Sequence, residues 1–304
     1  MKILAIESTC DETGAALVDS FGGGVKVIKN VVASSVEIHQ KYGGVVPEVA
    51  AREQIKSIIP VIIEGLGDEE IDAIAVSYGP GLMGSLLVGV ETAKALAWAW
   101  NKPLLKVNHL VGHVMANWII EKNQKLEKSK NQNSEVPELP AVGLVVSGGH
   151  TDLILMKSIT EWEWIGGTRD DAAGEAFDKA ARILGLPYPG GPEIDKASQK
   201  VSNEEWKIMD KKYRLPRSLL NEDNLEMSFS GIKAALARMA DGPKELLAKE
   251  FSEAVIEVLV KKTLMATEKF NPKSVILAGG VAANKALREN LKVQVERREI
   301  KFFV

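Results

Sequence analysis

The chain repeats one pattern at two places: an apolar strand, a short polar turn and a second apolar strand. The first copy is KILAIESTCDETGAALVDS at residues 2–20, and the second is AVGLVVSGGHTDLILM at residues 141–156. Apolar runs on both sides of a short polar turn are typical of a β-hairpin. Because each copy opens one half of the chain, the repeat predicts a duplicated domain.

Strands and helices alternate around these two hairpins, which predicts α/β layers with a partly parallel sheet. Before residue 120 the apolar periodicity predicts strands at 25–33, 71–81 and 103–108 and helices at 48–64 and 85–100. In the second half, helices at 244–270 and 284–298 flank the strand SVILAGG. We expect an irregular polar segment between about residues 195 and 228.

The segment EKNQKLEKSKNQNSEVPELP at residues 121–140 is polar, rich in lysine and asparagine, and ends in two prolines. Such a composition is typical of a solvated linker, although its lysines also allow an RNA-binding patch. We therefore predict an N-terminal domain at residues 1–120, a linker at 121–140, and a C-terminal domain with a helical insertion at 141–304.

Charge and cysteine content exclude several classes of function. The net charge of −3 gives no overall attraction for nucleic acid, so any contact with RNA requires a local patch or a partner. The single cysteine, Cys10, excludes an intramolecular disulfide and a four-thiolate zinc site, and fits a reducing compartment. Neither a signal peptide nor a membrane span is predicted, so we expect a cytoplasmic location.

Four glycine-rich segments follow predicted strands: SYGPGLMGS, VSGGHT, PYPGGPEID and LAGGVAAN. Glycines between a strand and a helix let backbone amides approach an anion closely. One such segment is weak evidence, because glycine at a strand end is ordinary turn chemistry. Their presence in both halves favours a nucleotide cleft, and the absence of GxxxxGK[ST] and GxGxxG excludes P-loop and dinucleotide-binding sites.

Acidic residues are concentrated in the first turn and in the stretch GGTRDDAAGEAFDKAARILG. A helix that begins near Asp171 places positions 171, 175 and 178 on one face, where their carboxylates can meet a ligand. The alternative is that the first acids of the stretch cap the helix and favour its dipole. For Asp178, well inside the helix, we expect a ligand contact. The residues concerned are Asp11, Glu12, Asp170, Asp171, Glu175 and Asp178.

The segment NHLVGHVMANW contains two of the four histidines, His109 and His113, at a spacing of one helical turn. Residues at this spacing lie close enough to share one metal ion, but two packed imidazoles in a core are an equally open alternative. Leu110 stands where a zinc peptidase helix carries its glutamate, so an HExxH protease is excluded. A metal site requires a further ligand from elsewhere in the chain.

The motifs together resemble one known family, the tRNA N6-adenosine threonylcarbamoyltransferases (TsaD family) of the actin-like superfamily. The resemblance runs from residue 2 to the end of the chain. It implies two actin-like (ASKHA), ribonuclease-H-like α/β domains around a nucleotide cleft. The motifs are, in order, ESTCDETG, YGGVVPEVAAR, GPGLMGSLLVG, NHLVGH, VSGGHTDL, DDAAGEAFDKAARILGLPYPGGPEID, SFSGIKAAL and LAGGVAANKALR.

The resemblance implies an acyltransferase that moves the threonylcarbamoyl group from threonylcarbamoyl-AMP to N6 of the tRNA adenosine 3′ of the anticodon. It also implies a TsaB-like heterodimer partner, a TsaE-like ATPase and one divalent metal ion, iron or zinc, per subunit. Two other classes remain as alternatives: an actin-like kinase or ATPase, and a non-catalytic TsaB-like subunit. The histidine pair argues against both.

The resemblance also assigns roles to individual residues. His109 and His113 match the metal ligands, and Asp11 and Glu12 match an acidic turn required for transfer. The matches to substrate contacts are Val145, Val146, Ser147, Gly148, Gly149, Asp178, Gly191, Asp195 and Asn284. The family's third metal ligand is an aspartate that we expect beyond Val304, so a chain that ends there is expected to bind metal weakly.

The helix predicted at 85–100 contains small residues, Gly89, Ala93 and Ala97, at spacings that permit close helix packing. Together with the resemblance, this predicts that this helix and its neighbours form the surface that receives the TsaB-like partner.

Overall fold

The computed structural model describes residues 1–21, 24–119 and 136–304, and divides the chain into two compact units, 1–136 (unit 1) and 137–304 (unit 2). The boundary between the units falls inside the predicted linker 121–140, of which residues 121–135 lie outside the described residues. The domain limits predicted from the sequence therefore remain a prediction. In the described ranges no helix is long and apolar enough to cross a membrane.

Unit 1 contains a five-stranded sheet in the order β3-β2-β1-β4-β5. The hairpin strands β1 and β2 pair antiparallel, β3 pairs antiparallel with β2, and β1, β4 and β5 run parallel. The strands are β1 Lys2–Glu7, β2 Glu12–Phe21, β3 Gly24–Ser34, β4 Ala73–Gly79 and β5 Leu104–Asn108, and the helices are α1 Val36–Gln40, α2 Pro47–Leu66, α3 Met83–Ala99 and α4 His109–Met115.

Unit 2 contains a second five-stranded sheet in the order β10-β9-β6-β7-β8. The strands β6, β9 and β10 run parallel, β7 pairs antiparallel with β6, and β8 pairs antiparallel with β7. Its strands are β6 Ala141–Val146, β7 Thr151–Met156, β8 Trp162–Gly167, β9 Ser274–Ala278 and β10 Lys301–Phe303, and its helices are α5 Ala173–Ile183, α6 Gly190–Ser198, α7 Asn203–Lys207, α8 Ser230–Ala237, α9 Lys244–Phe270 and α10 Lys285–Glu296.

The two sheets have the same topology. In each, the first three strands form an antiparallel meander and the last two extend the sheet parallel to the first strand. The predicted duplicated, actin-like α/β fold is confirmed.

Each unit has its own apolar core. In β1 only alternate residues, Leu4 and Ile6, are buried, as expected for a strand covered on one face. In β6 all six residues are buried, and the neighbouring helix α9 is buried along much of its length. A central strand covered on both faces carries an unbroken apolar run, which explains the sequence AVGLVV.

The small residues of α3 that suggested a partner surface lie inside unit 1. Ala93 is fully buried, Ala97 is 8% exposed, and Gly89 lies so close to Ser8 that a side chain on Gly89 meets the Ser8 hydroxyl. They face their own unit because only small side chains allow α3 to lie against the end of β1.

Two expectations for unit 2 also need correction. Helix α5 begins at Ala173, so Asp171 precedes the helix and does not share its face with Glu175 and Asp178. The segment expected to be irregular between residues 195 and 228 contains the end of α6 and the short helix α7. A Ser202 to Glu205 capping box begins α7, a local signal that the sequence analysis missed.

Candidate functional site

The carboxyl ends of three neighbouring parallel strands of unit 1 bring three polar side chains together. β1 ends at Glu7, β4 carries Ser77 near its end, and β5 ends directly before His109. The hydroxyl of Ser77 donates to Glu7 Oε2, and His109 Nδ1 lies 3.1 Å from the same oxygen. Ligands of open α/β sheets bind outside the carboxyl ends of strands, so this edge is the expected place for a site.

Helix α4 places its two histidines side by side at this edge. Asn108 caps the helix, because its Oδ1 accepts hydrogen bonds from the amides of Leu110 at 3.0 Å and Val111 at 3.2 Å. The cap fixes the first turn, and the rings of His109 and His113 follow with centroids 4.6 Å apart and planes inclined at 77°.

The histidine pair lies outside the buried core. Leu110 and Val114 anchor α4 at 7% and 0% exposure, whereas His109 and His113 are only partly buried. The geometry therefore favours a shared ion over two packed core imidazoles. Among the residues that the structure describes, no group of three or more His, Cys, Asp or Glu side chains is placed to hold a metal.

Side chains of two helices bind the backbone of the acidic turn between β1 and β2. Gln54 of α2 is buried, and its Nε2 donates to the carbonyl oxygens of Cys10 at 3.0 Å and Glu12 at 3.1 Å. Ser85 of α3 donates to the Cys10 carbonyl at 2.9 Å. These bonds fix the backbone of the turn that carries Asp11.

The ionisable groups in and beside this turn have pKa values shifted in different directions. Burial and the neighbouring Asp11 and Glu7 carboxylates raise the pKa of Glu12. Burial, with Asp11 next, raises the pKa of the Cys10 thiol to about 12, so the thiol stays protonated at neutral pH and is a poor nucleophile. Burial alone favours a high pKa for Glu7, but the hydrogen bond and charge of His109, with the side chains of Ser77 and Thr9, outweigh it and lower that pKa to about 2.

In unit 2 the turn after β6 is stabilised by its own polar groups. The Ser147 amide donates to the His150 carbonyl at 2.8 Å, and the Ser147 hydroxyl accepts from the amides of His150 at 3.1 Å and Gly149 at 3.4 Å. The amides of Ser147 and Gly149 are therefore committed inside the turn. Both residues were predicted from the resemblance as substrate contacts, which leaves Gly148 as the residue of this turn whose amide is not used in these bonds.

Val145 and Val146, predicted as substrate contacts, are fully buried in β6. Both pair with β7, and Val145 also pairs with β9. Their side chains fill the core, so a ligand contact at these two positions involves the backbone alone. The glycine-rich segment after β9 approaches them closely: at Gly279, where φ is 92°, an added Cβ lies only 2.5 Å from the Val146 carbonyl oxygen. Only glycine fits there, which brings that segment beside the turn at 147–149.

Helices α5 and α6 cross at Asp178 and Gly190. Asp178 Oδ1 accepts from the Gly190 amide at 2.7 Å, and a Cβ added to Gly190 lies 2.6 Å from the Asp178 Cα atom. Burial raises the pKa of Asp178, although the Gly190 amide opposes the shift. The space over Gly191 is open, since an added Cβ there meets no atom within 4 Å. Asp195 lies one turn further along α6.

Asn284 has a structural role: its Oδ1 caps α10 by accepting from the Leu287 amide at 2.9 Å. The cap uses only the oxygen of the side chain. The nitrogen has no part in this bond, so a ligand contact through the amide group is compatible with the cap.

Asp170 and Asp171 form tertiary contacts, and neither side chain caps α5, whose N-cap is Ala172. Asp170 accepts from the hydroxyls of Ser228 and Ser230 at 2.5 and 2.7 Å. Asp171 forms ion pairs with Lys179 at 2.7 Å and Lys233 at 2.6 Å. These contacts join the turn before α5 to the start of α8.

Sequence reasoning missed several residues that build the unit 1 site, chiefly Glu7, Gln54 and Ser77. Glu7 alone carried a usable signal, because an acidic residue that ends an apolar strand just before a polar turn is unusual. Gln54 and Ser77 lie within an amphipathic helix and a buried strand, where only the tertiary structure reveals their bonds.

Comparison with known proteins places these residues in context. Residues 26–304 match the family model described as tRNA N6-adenosine threonylcarbamoyltransferase, TsaD. A protein of that name from Dehalococcoides mccartyi is 49% identical over 300 residues, which cover 96% of this chain and 84% of the relative. One from Moorella thermoacetica is 44% identical, covering 99% of this chain and 85% of the relative.

Solved structures of lower identity share the architecture. Full-length HypF in its phosphate- and nucleotide-bound form is 11% identical, with a TM-score of 0.63, and the match covers 99% of this chain and 51% of HypF. A ROK hexokinase from Thermus thermophilus is 14% identical, with a TM-score of 0.53, covering 100% of this chain and 92% of the hexokinase. At these identities the likeness shows the fold alone.

Proposed function

The chain belongs to the tRNA N6-adenosine threonylcarbamoyltransferase (TsaD) family, and on that premise we propose how its residues divide the reaction. It is an acyltransferase that uses tRNA as substrate and places a threonylcarbamoyl group on N6 of the adenosine 3′ of the anticodon. The alternatives of an actin-like kinase and a non-catalytic subunit are not supported. The donor in the proposal is threonylcarbamoyl-AMP.

The single observation that carries the proposal is the edge of the unit 1 sheet, where Glu7 and Ser77 meet the histidine pair of α4 beside the acidic turn. A kinase cleft has no use for two imidazoles one turn apart. An acyl transfer from a mixed anhydride has such a use, since its carbonyl must be polarised as the amine attacks.

We assign the donor nucleotide to unit 2. The open backbone at Gly191 allows close approach, and Asp195 on the same helix accepts from ribose hydroxyls. The turn at 147–149 faces the phosphate, and its Gly148 amide is the main donor because those of Ser147 and Gly149 bond within the turn. Asp178 and Asn284 complete the set.

His109 and His113 are assigned as ligands of one divalent metal ion, and family membership supports a metal-dependent enzyme in general. Two half-buried imidazoles with centroids 4.6 Å apart fit a shared ion, and histidine suits both iron and zinc. When bound, the ion supplies Lewis-acid polarisation of the carbamoyl oxygen. The third ligand is the aspartate predicted beyond Val304.

Asp11 and Glu12 are assigned to the incoming adenosine amine. An exocyclic amine is a weak nucleophile that loses its proton late, so it needs an oriented carboxylate nearby. The raised pKa of Glu12 makes that carboxylate a better proton acceptor, and Asp11 on the fixed turn orients the amine.

A TsaB-like partner is assigned to the exposed apolar face of α2 and α3. Ile55, Ile59 and Ile63 recur along α2 at 63%, 48% and 66% exposure, and Leu87 of α3 is 50% exposed beside them. An apolar stripe on two adjacent helices is typical of a helix-packing interface. The proposal also includes a TsaE-like ATPase and a cytoplasmic location, where unmodified tRNA is available.

The test measures transfer from labelled threonylcarbamoyl-AMP to unmodified tRNA, with TsaB and TsaE present. We expect His109→Ala to lower the rate at least about 100-fold, because the loss of a ligand costs more than the 10- to 100-fold typical of supporting groups. The fold is expected to remain, since His109 is outside the core. Lys292→Gln, which removes only an exposed ion pair with Glu296 on α10, is the control. Equal rates for His109→Ala and the parent at equal protein contradict the proposal.

A further inference from the structure

Glu7 has no role in the assignments above, yet it is the most heavily hydrogen-bonded group at the edge of the unit 1 sheet. Three groups converge on its carboxylate. The Thr9 amide donates to Oε1 at 2.7 Å, the Ser77 hydroxyl donates to Oε2, and His109 Nδ1 lies 3.1 Å from Oε2. A carboxylate accepts hydrogen bonds and cannot donate them, so the contact with His109 requires a proton on Nδ1.

A neutral imidazole carries only one proton on its two nitrogens. When Nδ1 holds that proton toward Glu7, the lone pair belongs to Nε2. A metal ion binds the nitrogen that has the lone pair, and a carboxylate on the opposite nitrogen fixes both tautomer and ring orientation.

We propose that Glu7 is a positioning residue that sets the tautomer of His109, so that Nε2 is presented to the metal ion before the ion arrives. This inference rests on the assignment of His109 as a metal ligand in the proposed function. It adds Glu7, at the end of β1, as a residue that acts only through His109 of α4.

A second contact makes the opposite tautomer a real alternative. Thr9 Oγ1 lies 3.3 Å from His109 Nδ1, and a hydroxyl that donates there leaves the proton on Nε2. The Glu7 contact is shorter and charge-assisted, and hydrogen bonds to an ionised acceptor are roughly twice as strong as neutral ones. The His109 side chain is only 14% exposed, so water has little access to the ring, whereas the Glu7 side chain is 39% exposed.

Ser77 and the Thr9 amide hold the carboxylate in place. Each of the three partners of Glu7 donates a hydrogen bond to a carboxylate oxygen. Glutamine at this position has only one side-chain oxygen, so it cannot accept all three bonds. Its NH2 group points either at the Thr9 amide or at His109 Nδ1. In the second orientation the NH2 donates to Nδ1, which favours the proton on Nε2 and removes the metal-binding lone pair.

The experiment has two readouts, and neither measures transfer. First, long-range ¹⁵N–¹H correlation spectra of the histidine-labelled chain without metal, at alkaline pH, report the tautomer of His109. The His109→Ala variant assigns its signals. Second, titration with Co²⁺ followed by Zn²⁺ competition reports the affinity of the site.

We expect Nδ1–H in the parent, a shift toward Nε2–H in Glu7→Gln, and a 10- to 100-fold loss of metal affinity in that variant. Glu69→Gln is the matched control: it removes a carboxylate of unit 1 that pairs with Lys2 at the surface, and should change neither readout. Far-ultraviolet circular dichroism checks that each variant is folded.

Nε2–H as the main tautomer of the parent overturns the proposal, and so does unchanged metal affinity in a folded Glu7→Gln. The parent spectrum alone decides the tautomer if Glu7→Gln does not fold. If the parent binds neither metal, the metal assignment of the proposed function fails, while the tautomer measurement still tests whether Glu7 orients His109.

Discussion

At the scale of the residue, the acidic turn depends on one buried amide. Gln54 Nε2 donates to the carbonyl oxygens of Cys10 and Glu12, and Ser85 also donates to the first of these. We expect Gln54→Leu to lower the free energy of unfolding by about 1–3 kcal/mol, because it removes the buried donor that these acceptors share. It should also slow transfer, since Asp11 loses its fixed backbone.

Urea unfolding and the transfer assay measure the two effects. Lys56→Gln, on the solvent side of the same helix, removes only an exposed ion pair with Glu53 and should leave both values unchanged. A Gln54→Leu protein as stable as this control contradicts the role given to Gln54.

At the scale of the element, α3 has two faces with opposite roles. Ala93 is fully buried against its own unit, whereas Leu87 is half exposed on the face assigned to the TsaB-like partner. We expect Ala93→Glu to prevent folding, because it buries an unpaired charge. Leu87→Glu should keep the melting temperature of the parent and lose the partner in co-purification. Retention of the partner by Leu87→Glu at parental affinity places the interface elsewhere.

The ion pairs of Asp171, in the turn before α5, make the contact between this turn and α8 depend on pH. Burial opposes ionisation of Asp171, but Lys179 and Lys233 outweigh it and hold the pKa of Asp171 below its ordinary value. A depressed folded-state pKa adds stability above the unfolded-state value, and that stability is lost as the pH falls through the folded-state pKa. We therefore expect the contact between this turn and α8 to weaken only below about pH 4.

Melting temperatures of the parent and Asp171→Asn across the acidic range test this expectation. The difference between them should be largest near neutral pH and should shrink as the pH falls below 4. If the difference in melting temperature is the same at every pH, the substitution acts through packing and not through charge, and the prediction is wrong.

At the scale of the whole molecule, the two units repeat one topology with unequal cores. The core of unit 2 includes β6, buried throughout, and the long helix α9, while the core of unit 1 has α2 and α3 on a sheet whose first strand is buried on one side. Because stability grows with buried apolar area, we expect amides of β1 and β4 to exchange hydrogen before those of β6 and β9 in low urea. Mass spectrometry of the exchanged peptides measures this order, and simultaneous exchange of both sets indicates one cooperative unit.

The chain's pattern of apolar and polar residues by itself determined the duplicated α/β fold, many of its strands and helices, and the family, although β8, α6 and α8 were not predicted. This information is local: hairpins, amphipathic helices and glycine-rich turns are set by neighbours in the sequence, and α9 begins and ends at the predicted residues 244 and 270. The histidine pair belongs to the same class, because one turn of helix separates its members.

Only the tertiary structure decided which side chains meet across strands and which face the core. Glu7, Ser77 and His109 lie far apart in the chain and come together because β1, β4 and β5 run parallel. Val145, Val146 and Ala93 are buried because of what packs on them, and no local pattern distinguishes such residues from those at a surface. Burial and long-range hydrogen bonds depend on the pairing of distant segments, which is why the sequence alone left those roles open.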